Sequence, residues 1–334
     1  MAIAYSTDTD KALQYQAYLI QKLLYNYKTK VVLAQYGLNQ PIALNIGSKI
    51  ATFFRKSNPA GTNVTALAEG TVLNTFNNWT LSKIDATLSQ YANSYRWTDV
   101  LDDTALFKMM DGLAEHMGHE IAIHQDNLIR NVIVADGSVT TYYAQGAASF
   151  NALGSAVLGS STLLPSDIVK EVAVLASRNV LPAADGRFKL AADPRVMVAT
   201  KNDTGFQDVS SRGNYKQVIG NGLIGSYFNV DILEHTNAYT ERFSAPGEGT
   251  SVPVDGSSTT TNTIFTSFLF GSEPWATVEL SGQGPMSPEM MYVDGASYSD
   301  PAAQFRTYTA KMYYTAASVG PLNVIKIKSK AAVI

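Results

Sequence analysis

Leu106, Met110, Leu113, Met117, Ile121, His124, Leu128 and Val132 step by three or four residues, the spacing of one apolar stripe along an α-helix. Thr98 or Asp99 can cap its start, and Asp136-Gly137 can end it. About 35 residues rising ~1.5 Å each make a rod of roughly 50 Å. A compact chain of 334 residues has a radius of gyration of only about 20 Å. One helix therefore spans nearly the whole molecule, and the other elements must be arranged along this spine.

Upstream, Leu13, Ala17, Ile20, Leu24 and Tyr27 predict a first helix with Thr9 or Asp10 as cap, ending near Gly37 before Pro41. From Ile42 to Trp97 the pattern turns to strands. Lys49 to Arg55 is β-branched and aromatic, Trp79 to Asp85 alternates, and Ala86 to Tyr91 with Tyr95 to Trp97 continues the alternation. The Gly-, Pro-, Asn- and Thr-rich stretch Ser57 to Asn78 between the first two is long for an interior connection. It reads as an extended two-stranded arm, which is marginal alone in water and needs a neighbour.

The second half mixes elements. Asp167 to Asn179 predicts an amphipathic helix capped by Ser166 after Pro165, and Arg195 to Thr200 a short apolar strand. Gly222 to Glu234 reads as a turn and strand, Ile264 to Phe270 as a buried strand, and Ser244 to Asn262 as a surface loop. Phe305 to Lys328 alternates and could return to a sheet near the spine. The fold class is α+β, without the regular alternation of a doubly wound sheet. No internal repeat is evident.

Charge narrows the function. Only 16% of residues are charged and the net charge is −3, against roughly 25% charged in ordinary domains. Sparse charge suits faces that meet protein neighbours. It suits phosphate binding poorly, because that requires clustered Lys and Arg. Cysteine is absent, which removes disulfides and thiolate metal sites. The polar first ten residues do not form a signal peptide, and no run matches a membrane span, so a soluble protein made in the cytoplasm is expected.

Chemical motifs are thin. Gly220-Asn-Gly222-Leu-Ile-Gly225 matches a dinucleotide fingerprint, which has meaning only after a strand and at the start of a helix. The downstream residues Ser226 to Leu233 read as turn and strand instead. His116, Glu120 and His124, with Glu115 and His119 nearby, could bind zinc. The spacing between His119 and His124 is one residue too long for a zinc-protease helix, and His124 falls on the apolar stripe. No Gly-x-Ser-x-Gly elbow occurs. The reading is of no catalytic, cofactor or metal site.

Four stretches, taken in order, resemble the major capsid proteins of tailed bacteriophages, in the N-four-like podophage branch. They are Gly47-Ser-Lys-Ile-Ala-Thr-Phe-Phe-Arg-Lys56 with Leu67-Ala-Glu-Gly70; Ala86 to Tyr91 with Trp97-Thr-Asp99; Gly222-Leu-Ile-Gly225 through Val230-Asp-Ile-Leu-Glu234 to Asn237-Ala238; and Phe268-Leu-Phe-Gly271 with Asp300-Pro301. Ala68 departs from the usual Thr of the turn. The similarity runs from about Leu13 to Lys328.

The resemblance implies the Hong Kong-type capsid fold. Residues 1–41 would form an N-terminal arm, 42–98 the extended loop and peripheral strands, and 99–162 the spine and peripheral domain. Residues 163–280 would form an axial domain, and 281–334 the return strands. It implies hexamers and pentamers of one chain closing an icosahedral shell around double-stranded DNA, assembled in the host cytoplasm and residing in the virion. A portal protein, scaffolding and decoration proteins, and weak unspecific DNA contact are the implied partners. Phe53, Phe54 and Arg55 on the arm, Glu69 in its turn and Trp79 on its return are the expected assembly contacts. Some relatives crosslink a Lys to an Asn, but no motif here carries that chemistry over to Lys49, Lys56 or Asn323. The alternatives are a nucleotide-dependent enzyme built on the Gly220 to Gly225 turn, which requires a helix after Gly225, and another self-assembling structural protein.

Overall fold

A computed structural model describes residues 18–28, 31–44, 47–55, 66–70, 72, 81–104, 109–156, 160–203, 223–227, 229–243, 252–253, 263–293 and 301–331. In chain order, helix α1 (18–28) and a 3-10 turn at Leu33–Tyr36 lead to β1 (Leu38–Ile42), β2 (Ile50–Arg55), β3 (Ser82–Thr87) and β4 (Ser89–Thr98). Helices α2 (Asp99–Thr104) and α3 (Met109–Ala135) follow, then β5 (Thr140–Tyr143), α4 (Phe150–Ser155) and α5 (Pro165–Ser177). Next come β6 (Phe188–Ala192), α6 (Pro194–Asn202), β7 (Leu223–Tyr227), β8 (Val230–Glu234) and β9 (Tyr239–Arg242). The chain closes with β10 (Val252–Pro253), β11 (Thr263–Phe270), β12 (Ala276–Leu280), β13 (Glu289–Val293), β14 (Phe305–Ala317) and β15 (Val324–Lys330).

The strands form two main sheets and a separate ladder. The first sheet runs β1-β12-β14-β13, with β4 on the free side of β14. The second runs β10-β9-β11-β6-β8-β7, and β15 joins β11 to β5. β11 is buried along its full length, as an uninterrupted apolar and hydroxyl strand should be when both faces are covered. Phe265 and Leu269 face α5 and α6, in a core with Ile168, Leu175, Val196 and Met197. Phe268 and Phe270 face the other way, with Ile129 and Ile133 of α3, Leu33 and Trp275.

The spine unites these layers. Met117, Ile121 and Ala122 of α3 pack with Leu19, Leu23 and Tyr27 of α1 over the first sheet. About two turns further along, Ile129 and Ile133 cover the second sheet. At ~1.5 Å per residue α3 alone is about 40 Å long. The expected cap lies one element earlier, where Thr98 Oγ1 accepts from the Leu101 amide (3.4 Å) at the head of α2, and α3 is described from Met109. Its end follows the expected signal. Asp136 Oδ1 accepts from the Ser138 amide (2.8 Å), and Lys326 Nζ donates to the carbonyls of Val134 (3.3 Å) and Asp136 (3.1 Å), where the helix dipole favours a cation.

Several sequence expectations need correction. The buried stripe of α3 is Ala114, Met117, Gly118, Ile121, Ala122, Gln125, Asp126, Ile129 and Ile133, rotated from the expected one; His124 is on the open side, and Leu128 and Val132 are half-buried. The shift arises because α3 is gripped by α1 as well as by the sheets. Likewise Leu19, Leu23 and Tyr27 are the buried residues of α1, with Ile20 and Leu24 only half-buried. Arg195 to Thr200 is helical, not a strand. Asp193 accepts from the Arg195 amide (2.8 Å) with Pro194 at the first helical position, and this cap outweighs the β-branched content. Leu164, not Ser166, occupies the cap position of α5, where Asp167 Oδ2 reaches back to the Leu164 amide (3.3 Å). No described helix is long and apolar enough to cross a membrane.

Candidate functional site

The root of the arm is β2 against β3, with Ile50 paired to Thr87 and Arg55 to Ser82, hydrogen-bonded to neither main sheet. Strand alternation gives the ladder two unlike faces. Ala51, Phe53 and Ala86 turn inward onto Ile42, Ala276, Val278 and Ala317, where the first sheet ends. Phe53 is only 4% exposed, a burial that contributes on the order of 2–3 kcal/mol. Ile50, Thr52 and Phe54 turn outward, and Phe54 is 55% exposed. On this outer face Thr52 Oγ1 donates to Asp85 (2.7 Å), which also pairs with Lys83 (2.9 Å).

Arg55 fixes the direction of the root. Its Nη2 lies 3.4 Å from Asp136 Oδ2 at the end of the spine and donates to the Ser318 carbonyl at 3.1 Å. Burial pushes the Asp136 carboxyl up, but Ser318, Ser138 and the Arg55 charge hold it below the ordinary carboxylate value. The arm therefore leaves the body at a bearing set by the spine.

The five expected contact residues are thus placed differently. Phe53 and Arg55 hold the root to its own chain, and Phe54 faces outward. Glu69 is exposed beside Gly70, whose φ of +79° suits glycine in this turn, and it has no ion-pair partner among the described residues. Trp79 lies outside the described residues. Leu67, Val72 and Leu81 are also exposed apolar side chains of the arm segment. Sequence alternation could reveal two faces on Lys49 to Arg55. Which face was inward depended on contacts with β12 and β14, more than 200 positions away.

The N-terminal segment is secured by Asp126, which sequence reasoning missed. From within α3 its carboxylate accepts the amides of Val32 (2.8 Å), Leu33 (3.0 Å) and Ala34 (3.2 Å), capping the 3-10 turn after α1. Burial outweighs those three donors and pushes its pKa up to about 6. Beside it the Tyr27 hydroxyl donates to Gln125.

The candidate catalytic and metal groups have other occupations. Tyr95 Oη meets His116 Nδ1 at 3.0 Å and donates to Glu120, and His124 bonds Tyr314. Among the described residues no three His, Cys, Asp or Glu side chains gather as a metal site would need. Gly220 and Gly222 lie outside the described residues. Leu223–Tyr227 is a strand antiparallel to β8, so the helix that dinucleotide binding requires after Gly225 is replaced by a strand.

No protein-family model matches the chain, and no curated protein matches it. Solved structures do. The capsid of Ralstonia phage GP4 superposes with a TM-score of 0.66 at 11% identity, over 91% of this chain and 92% of that one. The capsid of cyanophage P-SCSP1u gives 0.59 at 17% identity, over 89% and 87%. The acid-stable capsid of Helicobacter pylori bacteriophage KHP30 gives 0.54 at 12% identity, over 87% and 86%. The chain has the fold of these phage capsid subunits, the mixed α+β Hong Kong-type fold, over about nine-tenths of its length.

Proposed function

We propose that this chain is the major capsid protein of a tailed double-stranded DNA bacteriophage, a shell subunit without catalytic work of its own. The observation that carries the reading is fold similarity to capsid subunits over about nine-tenths of both chains. The arm supports it. Its root is locked to the spine, while Phe54, Ile50 and Leu67 are exposed, as side chains that meet a neighbour are.

In this reading residues 1–41 and the loop within 42–98 reach across adjacent copies. Residues 99–162 and 281–334 make the peripheral domain, and 163–280 make an axial domain around the five-fold and six-fold axes. Phe54, Glu69 and Trp79 make contacts between copies, while Phe53 and Arg55 aim the arm. The N-four-like podophage branch rests on the four sequence stretches alone. Portal, scaffolding and decoration proteins, assembly in the host cytoplasm and weak contact with packaged DNA follow from the capsid role. Mechanistically the shell is geometric: apolar and strand contacts left open in one copy are completed by the next.

Deleting Gly61 to Leu73 tests the arm. The expected product is a folded subunit with unchanged circular dichroism that no longer closes shells. Wild-type shells from this variant would remove the arm from the mechanism.

A further inference from the structure

The edges of the two main sheets are unequally defended. β1 carries Pro41, β10 is two residues long and includes Pro253, and β7 has a register irregularity between Leu223 and Gly225. β5 and β13 are only four and five residues long. Such features prevent stray strand pairing. β4 has none of them. It is ten residues long, roughly 34 Å at ~3.4 Å per residue, and its ladder with β14 runs without a bulge from Ser89 to Thr98. Its only charged residue is Arg96. β14 satisfies one side, so about half of the β4 residues turn both amide and carbonyl outward. Among the described residues nothing pairs with them.

A groove of about 390 Å³ lies between this strand and α3, lined by Tyr91, Asn93, Glu120, Ile123, His124 and Asn127. The side-chain oxygen of Asn127 is buried and has no hydrogen-bond partner among the described residues. A strand laid along β4 would send every second side chain over this groove.

We infer that β4 pairs antiparallel with β4 of a second copy about a two-fold axis, extending the first sheet across two subunits. The chemistry of the edge selects the occupant. Side chains on the α3 side of β4 include Tyr91, Asn93 and Tyr95; the Tyr95 hydroxyl and one Asn93 N–H already donate to Glu120, so the Tyr91 hydroxyl and the second Asn93 N–H are the donors that an unpaired amide oxygen needs. With the axis at Asn93, Tyr91 lies opposite Tyr95 and Arg96 opposite Gln90. With the axis at Ser94, Tyr91 lies opposite Trp97 and Arg96 opposite Ala92. Arg96 meets no like charge in either register. Two-fold pairing also consumes both edges at once and stops, whereas head-to-tail pairing would leave an edge to grow from. The inference deepens the capsid reading, and rests on it, by naming one contact between copies.

The chain contains no cysteine, so single substitutions report cleanly. Residues facing themselves across the axis stand about 4.5–5.5 Å apart at Cα, within disulfide reach. Under mild oxidation of assembled particles, Asn93→Cys or Ser94→Cys should give covalent dimers, and Ser89→Cys should not. Hydrogen exchange on the unsubstituted protein should show β4 amides slowing on assembly. Particles without dimers from either variant overturn the pairing and leave the capsid reading standing; slowed β4 exchange in that case assigns the edge to another segment. If the chain forms no particles, the same oxidation is run on the concentrated protein. Dimers there uphold the pairing while the capsid reading fails, and their absence overturns the pairing as well.

Discussion

Gly118 lies where α1 crosses the spine. A Cβ built there would stand 2.5 Å from the Leu23 carbonyl oxygen and 3.2 Å from Asn26 Cβ. Backbone cannot yield as a flexible side chain does. To restore an ordinary ~3.3 Å carbon–oxygen contact, α1 must retreat by about 0.8 Å. Gly118→Ala therefore adds about 1–3 kcal/mol of overpacking and recovers about 1 kcal/mol of helix propensity, a net loss of roughly 0–2 kcal/mol. Gly112 is the internal control. It lies in the same helix, is exposed, and among the described residues nothing beyond its chain neighbours and its own helix backbone comes within 4 Å of its Cβ position. Gly112→Ala should gain up to ~1 kcal/mol. Urea denaturation of the unassembled subunit measures both, and the two should differ by about 1–3 kcal/mol. Limited proteolysis should also show α1 cut faster in the Gly118 variant. Equal effects within about 0.5 kcal/mol, with unchanged cleavage, would refute the close crossing.

Other substitutions separate the roles along the arm. Phe53→Ala should cost about 3–4 kcal/mol by emptying the root, whereas Phe54→Ser should stay within ~0.5 kcal/mol in the subunit and lower the yield of shells, read by sedimentation. Arg55→Ala should cost only about 0.5–1 kcal/mol, because the guanidinium side chain is 31% exposed, yet the arm should become more protease-sensitive. Acid titration has two opposed contributions. Buried His235 is held at about pKa 4, so the unfolded chain takes its proton first, and up to ~3 kcal/mol is lost as pH falls from 6.5 toward 4. Asp126, raised to about 6, binds its proton first in the folded chain and offsets part of that loss as pH falls from 6 toward 3.8. Asp126→Asn should therefore steepen the acid loss seen by urea denaturation at pH 6.5 and 4.5; an unchanged slope would count against the buried carboxylate.

Features written in local sequence were legible. The uncharged, largely apolar run of β11 and the stop at Asp136-Gly137 each name their element, and the cap at Thr98 names the short helix α2 ahead of the spine. Arg195 to Thr200 shows the limit, since Val196, Val198 and Thr200 favour a strand while Asp193-Pro194 starts a helix, and the cap prevailed. β6 went unread because Lys189 interrupts it; the Lys189 ammonium is buried against Asp231 (2.5 Å), a partner 42 residues away. Asp126 gave no signal either, because a carboxylate capping a turn 92 positions upstream has no periodicity. The arm was visible as a break in composition, but the division of work between Phe53 and Phe54 depended on β12 and β14.

Electron microscopy of the concentrated chain, alone and co-expressed with a scaffolding protein, tests the central claim most directly. The capsid account predicts closed shells, or rings of five and six copies. Uniform single subunits under both conditions would contradict it.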